Sequence, residues 1–209
     1  MSTKGKHKIS LVIVAPDSPH YPIEVKEEFV PAPQLVMLGT WPLTGVSSVA
    51  LLSSAKAPAS ILLAIHDLAQ HWRRGSRMII SGFHSPVEQE AFEVLLRGPA
   101  PIIYCPARNL PKRLKPAWRS ALEAGRLTML SPFPESVRRA SKKTAIYRNR
   151  LVAALAGDVL IAYAHPGSST EQLAREVLAW GKPLYALDHP ANEGLITLGA
   201  QLWPAGNSE

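Results

Sequence analysis

Cysteine and long apolar runs are both scarce in this chain of 209 residues, and each scarcity removes a class of protein. Cys105 is the single cysteine, which excludes an intramolecular disulfide and a zinc cage made of cysteines. The longest apolar stretches, residues 9–15 and 159–164, are too short to cross a bilayer, and the lysine-rich start leads into no signal-peptide core. We therefore expect a cytoplasmic protein that does not interact with membranes.

Recognisable metal and cofactor motifs are missing as well. The seven histidines are scattered and form no HExxH pair, and the chain has neither a GxGxxG fingerprint nor a Walker lysine motif. We expect no bound metal and no cofactor, we assign no catalytic residue, and we favour a binding role over catalysis.

The chain does contain enough apolar sequence for one α/β domain. Hydrophobic residues make up 46% of it, and a chain of this length can bury a sizeable core. No internal repeat or low-complexity linker divides the sequence. We expect residues 1–20 to form an N-terminal strand or extension, residues 21–204 to form one domain, and residues 205–209 to be a frayed tail.

Positive charge is concentrated in one part of the sequence. The formal net charge is +7, yet residues 108–150 hold 12 lysines and arginines against only Glu123 and Glu135. A regional excess of this size can form a face that attracts a polyanion, because each phosphate contact is typically made by a lysine or an arginine. We favour a nucleic-acid or phosphate partner over the alternative, an ordinary solvated helix surface.

Eight short apolar runs alternate with segments of helical period, which is the pattern of a parallel sheet with crossover helices. Because nearly every position in these runs is apolar, we expect the strands to be covered on both faces. The runs are ISLVIV from Ile9, QLVML from Gln34, SVALL from Ser48, RMIIS from Arg77, PIIYC from Pro101, LTML from Leu127, DVLIAY from Asp158 and PLYAL from Pro183. The sequence thus predicts a Rossmann-like α/β fold, a mostly parallel sheet with helices on both faces.

Three helices are predicted between these runs, over residues 60–72, 86–96 and 169–180. In each segment the apolar residues recur at the spacing of a single helical stripe. A glycine follows each segment where a left-handed C-cap residue is expected, namely Gly75, Gly98 and Gly181.

Loops that follow the strands are the places to search for a site, because a ligand of a doubly wound sheet sits beyond the carboxyl ends of the strands. Ser53 and Ser54, followed by Lys56, form a small-residue turn whose free backbone N–H groups suit a phosphate. An ordinary strand-to-helix turn explains the same residues. After the next strand, Gly82 permits a close approach of the backbone, and Glu88 lies near the positive end of a helix, where it can simply cap the dipole.

The loop after DVLIAY has the best composition for a phosphate cradle, because Gly167, Ser168 and Ser169 lead into a helix. Ser169 with Gln172 three residues later also fits a capping box, which is a purely structural role.

Arg148, Asn149 and Arg150 place two guanidiniums, suited to bidentate phosphate binding, around an amide. Asn149 can cap a helix that begins at Arg150, but if the helix begins near Ser141, Arg148 tips toward the sheet. Tyr147 offers a ring on which a base can stack. The structural alternative is an arginine that anchors a helix to its own sheet.

Taken in order, these segments resemble the DNA-processing protein A (DprA/Smf) family over about residues 21–201. VALLSSAKAP is similar to the family's VAIVGSRKAT, IISGFHSPVEQEAF to VVSGLARGIDAAAH, and LTMLSPFP to ALLSEYPP. YRNRLVAALAGDVLIAYA resembles RRNRIIAGLSRGVLVVEA and is the most specific element. The lead-in with Tyr21-Pro22 and the closing NEGLITLGAQ also resemble the family's pattern.

The resemblance implies an extended Rossmann-like domain that dimerises, binds single-stranded DNA in a basic pocket and helps to load the RecA recombinase during DNA uptake and recombination. It implies phosphate contacts by Arg148, Asn149 and Arg150. The implied pocket lining is Ser53, Ser54, Ser81, Gly82, Gly167, Ser168 and Ser169. The implied rim charges are Lys56, Arg108, Lys112 and Arg113.

The chain also departs from the family's pattern. Ser53-Ser54-Ala55 stands in place of Gly-Ser-Arg, and Pro132 stands in place of an acid, so the pocket loses one basic and one acidic group. No accessory helical or winged-helix domain is recognisable, and we expect a minimal form of the family.

Two other functions fit some of the same residues. PGSSTE resembles the PGGxGTxxE loop of the LOG-type phosphoribohydrolases, relatives of the same fold, which leaves a small-nucleotide enzyme or sensor as the alternative. A catalytic glutamate must reach the glycosidic bond, and Glu171 and Glu88 are the nearby candidates. A third possibility is a module whose basic face binds an acidic protein.

Overall fold

The computed structural model describes residues 9–40 and 46–204, so the expected frayed tail lies outside the described residues. The strands are β1 (Leu11–Val14), β2 (Leu35–Leu38), β3 (Ser48–Ser53), β4 (Met78–Ser81), β5 (Ile102–Tyr104), β6 (Leu127–Ser131), β7 (Asp158–Tyr163), β8 (Leu184–Ala186) and β9 (Gln201–Leu202). The helices are α1 (Ile23–Glu28), α2 (Ala59–Trp72), α3 (Pro86–Leu95), α4 (Pro116–Glu123), α5 (Lys142–Leu155), α6 (Ser169–Ala179) and α7 (Glu193–Leu198), with a 3-10 turn at Pro190–Asn192.

All the described strands belong to one sheet, in the order β1-β2-β6-β5-β4-β3-β7-β8-β9. Neighbours from β6 through to β9 run parallel, whereas β1 with β2 and β2 with β6 run antiparallel. The chain steps outward from β3 to β6 and then crosses back to β7 on the other side of β3. The prediction of a mostly parallel Rossmann-like sheet is therefore confirmed, and its topological switch point lies between β3 and β7.

Strand β3 illustrates why its sequence has no polar alternation. Val49 and Leu51 pack into a core shared with α2, α3 and α4, whereas Ala50 and Leu52 pack into a second core shared with α1, α5, α6 and α7. All four side chains are fully buried. Helices on both faces leave no solvent-facing position in a central strand, which is what the continuous apolar run indicates.

The eight predicted strands and the three predicted helices are present, each end within about two residues of the expected position. The exception in detail is β1, which was expected to be covered on both faces. It lies at the edge of the sheet, antiparallel to β2, and Leu11 and Ile13 are 60% and 57% exposed. A short apolar run does not distinguish an edge strand from a central one, so this expectation was wrong.

Two of the three glycine C-cap predictions were also wrong. Gly181 has φ +70° after α6, as expected, but Gly75 and Gly98 are not left-handed. Gly98 is required for space instead, because a Cβ there would lie 2.2 Å from the carbonyl oxygen of Arg73. Helices α2 and α3 end in right-handed residues, Arg73 and Leu96.

None of the helices in the described residues has the length and hydrophobicity of a membrane span. The same ranges contain no group of three His, Cys, Asp or Glu side chains that could hold a metal ion.

Candidate functional site

A cleft of about 700 Å³ opens where β4 and β5 end, on the side of the sheet that carries α3 and α4. The residues after β4 and after β5 form its floor, and the start of α4 forms one wall. Arg139 and Arg148, which come before and within α5, close the remaining side. Of the residues expected from the sequence, the cleft brings together Gly82, Arg108 and Arg148.

Arg148 is buried at the cleft because of where α5 begins. Ser141 caps this helix, accepting a hydrogen bond from the N–H of Thr144, whose hydroxyl accepts one from the N–H of Ser141 in return. The helix therefore begins before Asn149, which is not a cap. Two turns later Arg148 faces the sheet and is only 3% exposed.

The guanidinium of Arg148 has two hydrogen-bond partners and no counter-charge. Its Nε donates to Asn149 Oδ1 at 2.7 Å, and its Nη1 donates to the carbonyl oxygen of Cys105 at 3.0 Å. Within the described residues it forms no ion pair, and Nη2 has no partner. A buried charge without a counter-charge is costly, and an anion entering the cleft would supply one.

Gly82 is the residue that makes room for this guanidinium. A Cβ built at Gly82 would lie 1.4 Å from Arg148 Nη1 and 1.9 Å from its Cζ. The sequence indicated a close approach of the backbone here, and the group that approaches is this side chain.

Glu88 fastens the ends of two neighbouring strands together and does more than cap a helix dipole. Its carboxylate accepts hydrogen bonds from the N–H of Ser53 at 3.0 Å, from the N–H of His84 at 2.9 Å and from the hydroxyl of Ser81 at 3.3 Å. The side chain is 2% exposed. Both of its carboxylate oxygens therefore accept hydrogen bonds from residues at the ends of β3 and β4.

The loops at the switch point contact one another, as their topology requires. The Oγ of Ser54 lies 3.4 Å from the Oγ of Ser168 and accepts a hydrogen bond from the N–H of His165 at 3.1 Å. The N–H of Gly167 donates to Glu171 Oε2 at 2.7 Å, so the chain's own carboxylate occupies this loop.

The cap of α6 is Ser168, whose hydroxyl accepts from the N–H of Glu171 at 3.2 Å. The capping box expected from Ser169 and Gln172 was therefore wrong by one residue. Ser169 is the exposed first residue of the helix.

Aromatic side chains form the wall of the cleft on the side of α3 and α4. Phe83 and Phe92 stack with their ring centroids 4.2 Å apart, and Tyr104 lies 5.7 Å from Phe92. Trp118 closes the group at 5.3 Å from Tyr104. Burial raises the pKa of Tyr104, and the nearby charges of Arg148 and Arg108 partly oppose that rise.

Exposed cations surround the mouth of the cleft. Arg108, Lys115 and Arg139 line it, with Glu93 as its one exposed carboxylate among the described lining residues. Arg108 also borders an adjoining depression of about 480 Å³, which is lined in addition by Asn109, Leu110, Pro111, Lys112, Arg113, Glu135 and Arg138. Arg108 is thus shared by the linings of the two hollows.

Other residues expected at the pocket lie elsewhere. Arg150 donates to Glu176 at 2.6 Å, and its guanidinium lies 5.0 Å from the ring of Phe29 and 5.8 Å from that of Trp180. Tyr147 packs against Phe29, and neither it nor Arg150 lines the cleft. Lys56, Ser169 and Gly167 are exposed and outside the cleft lining, and Asn149 touches it only through Arg148.

Sequence reasoning missed several lining residues, among them Lys115, Arg139, Phe83, Tyr104 and Trp118. Lys115 and Arg139 lie inside the basic segment, so the charge run was their signal, although it did not single them out. Phe83 and Trp118 gave no signal, because neither a positive φ of 45° at Phe83 nor the meeting of three elements around Trp118 is visible in a linear sequence.

Comparison with known proteins adds two kinds of finding. The sequence profile of the family described as DNA recombination-mediator protein A matches residues 12–204. A search of curated proteins gives no significant match.

Two solved DprA structures share the fold at low sequence identity. DNA processing protein A (DprA) from Streptococcus pneumoniae has a TM-score of 0.76 and 18% identity, over 96% of this chain and 72% of that chain. The protein of the same name from Helicobacter pylori, described for its unique mode of binding single-stranded DNA, has a TM-score of 0.72 and 22% identity, over 92% and 88%.

A protein of another kind has a more distant likeness. The molybdenum cofactor binding protein from Rippkaea orientalis has a TM-score of 0.55 and 14% identity, over 78% of this chain and 91% of that chain. The structural likenesses concern the fold, whereas the sequence profile covers nearly the whole chain. On that ground this chain belongs to the DNA recombination-mediator protein A family.

Proposed function

We propose that this protein binds single-stranded DNA and that a backbone phosphate enters the cleft and pairs with Arg148. The observation that carries the proposal is the buried guanidinium of Arg148, which has no counter-charge within the described residues. The related protein from Helicobacter pylori binds single-stranded DNA. Arginine forms bidentate contacts with phosphate, and its free Nη2 is a donor available for one.

The exposed cations around the mouth of the cleft can contact further phosphates of the same DNA strand. Arg108, Lys115 and Arg139 are exposed around the mouth, and Arg108 connects the cleft with the depression that holds Lys112 and Arg113. We propose that neighbouring phosphates lie on these side chains. Because such contacts release condensed counterions, binding must weaken as the salt concentration rises.

The switch-point loops support binding at the cleft rather than at their own backbone. Glu171 already accepts from the N–H of Gly167, and Glu88 already accepts from Ser53, Ser81 and His84. A phosphate bound to the backbone of the loop after β7 would have to displace the Glu171 carboxylate. If Glu88 were the catalytic acid of a hydrolase, its carboxylate would first have to break its hydrogen bonds to Ser53, Ser81 and His84. These commitments favour DNA binding over a small-nucleotide hydrolase.

Further parts of the proposal come from the family. We propose that the protein acts in the cytoplasm as a homodimer and delivers bound strands to a RecA-type recombinase. Sedimentation velocity measures the dimer, and the rate of recombinase loading onto coated single strands measures the delivery. A monomer at micromolar concentration would contradict the first, and an unchanged loading rate would contradict the second.

Fluorescence anisotropy with a labelled thymidine oligonucleotide tests the DNA-binding proposal. We expect Arg148→Ala to raise the Kd about tenfold or more, in line with the loss of a charged hydrogen bond. Because Arg148 is buried, the exposed pair Arg108→Ala and Arg139→Ala provides a second test that leaves the core intact. When the logarithm of the binding constant is plotted against the logarithm of the salt concentration, each lost phosphate contact should make the slope about 0.7 less steep.

Arg74→Ala is the matched control, because Arg74 is exposed after α2 and does not line the cleft. Like each of the other substitutions, it removes one positive charge, but it should leave both the Kd and the salt dependence of binding nearly unchanged. The proposal fails when wild-type protein does not bind at low ionic strength, or when the rim variants bind no more weakly than Arg74→Ala.

A further inference from the structure

One side of the cleft is not explained by phosphate contacts, because it is aromatic. Phe83 and Phe92 are 6% exposed, whereas Tyr104 and Trp118 are only half-buried and line the opening. A concave surface lined by aromatic rings with a few polar groups is typical of ligand sites.

The backbone holds this wall in a strained conformation. Phe83 has φ +45°, the left-handed region, where a bulky residue is a genuine outlier. Its ring is kept there by stacking on Phe92, with an angle of 13° between the ring planes. Strained residues persist where the surroundings fix them, and they concentrate at ligand sites. The rings are therefore positioned before any ligand arrives.

Tyr104 joins the aromatic side of the cleft to the cationic side. Its ring contacts both Phe92 and Trp118. It lines the same cleft as Arg148 and Arg108, whose charges partly oppose the rise in its pKa caused by burial. Its hydroxyl has no hydrogen-bond partner within the described part of the chain. Lys115 lies 5.3 Å from the centre of the Trp118 ring, so the tryptophan also has a cation beside it.

We propose that this wall is a nucleobase subsite, in which one unstacked base of a bound strand lies against Tyr104 and Trp118. This inference rests on the proposed function, because the phosphate of the same nucleotide is placed at Arg148. The cavity of about 700 Å³ is of the size that holds small ligands. Every base has a π face, so the subsite accepts any base and requires only that it be unpaired.

The subsite predicts that bases as well as phosphates contribute to affinity. The test measures Kd by anisotropy for two probes of equal length, a thymidine oligonucleotide and the same phosphodiester chain made of abasic sugar units. Wild-type protein should bind the thymidine probe on the order of tenfold more tightly, as expected for base stacking on an aromatic side chain. Trp118→Ala and Tyr104→Leu should each reduce that preference and leave the Kd for the abasic probe nearly unchanged.

Two further variants separate stacking from support of the fold. Trp118→Phe keeps a ring at the wall and should retain part of the preference. Trp180→Ala removes an indole that lies beside Arg150, away from the cleft, and should leave the preference intact.

The possible outcomes distinguish the subsite from the DNA-binding proposal. Equal wild-type affinity for the two probes overturns the subsite and leaves DNA binding standing. Equal weakening of both probes by Trp118→Ala also overturns it, because the ring then only supports the fold. Failure of wild-type protein to bind either probe overturns the subsite and the DNA-binding proposal together.

Discussion

At the scale of single residues, the cleft depends on a glycine and an arginine that occupy adjacent space. Gly82 directly follows β4 and carries no side chain, and Arg148 comes from α5 to fill the gap. The hydrogen bond from Arg148 to the carbonyl oxygen of Cys105 then places the guanidinium after β5 as well. The two residues are 66 positions apart in sequence, so neither explains the other until the fold is known.

Replacing Gly82 by alanine should displace the Arg148 guanidinium, because the new Cβ would lie 1.4 Å from Nη1. We expect the Kd for a thymidine oligonucleotide to rise about tenfold or more, and the free energy of unfolding to fall by about 1–3 kcal/mol from overpacking. Anisotropy and urea denaturation measure the two effects.

Gly194→Ala is the control for this substitution. Gly194 lies in α7, and a Cβ there would meet nothing within 4 Å. Alanine favours a helix by up to about 1 kcal/mol over glycine, so this variant should be neutral or stabilising and should bind normally. Normal oligonucleotide binding by Gly82→Ala would contradict the role given to this glycine.

At the scale of whole elements, helix α5 is fixed at both of its ends. The Ser141 and Thr144 capping box fixes its start, and Lys182, from the loop after α6, fixes its end. The Nζ of Lys182 donates to the carbonyl oxygens of Ala153, Ala154 and Ala156 at 3.1, 2.5 and 2.8 Å. Desolvation lowers the pKa of this lysine, and three hydrogen bonds on its three donors offset the cost of burying it.

Lys182→Met should therefore destabilise the protein by about 1–3 kcal/mol, because methionine keeps much of the side-chain volume and leaves the helix carbonyls without a donor. Chemical denaturation followed by circular dichroism measures the loss. Lys143→Met, an exposed lysine in the first turn of the same helix, should change stability little or raise it slightly, because a cation there opposes the helix dipole. Equal effects of the two substitutions would contradict the capping role.

The elements were more predictable from the sequence than the site. Central strands such as β3 and β7 were found because continuous burial on both faces leaves an unbroken apolar run, while the two-residue β9 leaves no pattern. The sequence allowed two starting points for helix α5, and only a start near Ser141 placed Arg148 toward the sheet. The structure has Ser141 as the N-cap. Arg150 has the same chemistry two residues later and pairs with Glu176, a long-range contact that no local pattern reveals.

At the scale of the whole molecule, the cleft is displaced from the place where open α/β sheets commonly bind ligands. That place is the switch point between β3 and β7, and here its loops bond to each other through Ser54, Ser168 and His165. The cleft lies instead beyond β4 and β5, and the basic segment of residues 108–150 supplies its cations. The switch-point loops thus contact each other, and the cleft lies beside them.

The two packed cores also set how the fold responds to alkali. Burial raises the pKa of the Cys105 thiol from 9.0 to about 12 and that of the Tyr21 hydroxyl from 10.0 to about 12. Tyr104 and Tyr147 shift in the same direction, also mainly through burial. A group whose pKa is raised by folding stabilises the protein fully below its unfolded pKa, and that contribution is lost as the pH rises through the folded value.

We therefore expect the free energy of unfolding to fall as the pH rises from 9 toward 12, with each group adding up to about 1.4 kcal/mol per pH unit to the slope. Urea denaturation at closely spaced pH values measures it. Cys105→Ala should flatten the curve from pH 9 onward, whereas Tyr21→Phe should flatten it only from pH 10, because their unfolded pKa values differ. Tyr21→Phe also loses the hydrogen bond to the carbonyl oxygen of Pro33 at 2.6 Å, which lowers the whole curve without changing its slope below pH 9. A stability that stays constant from pH 9 to pH 12 would contradict the burial of these groups, since only a thiol or phenol that solvent reaches in the native state ionises without cost to the fold.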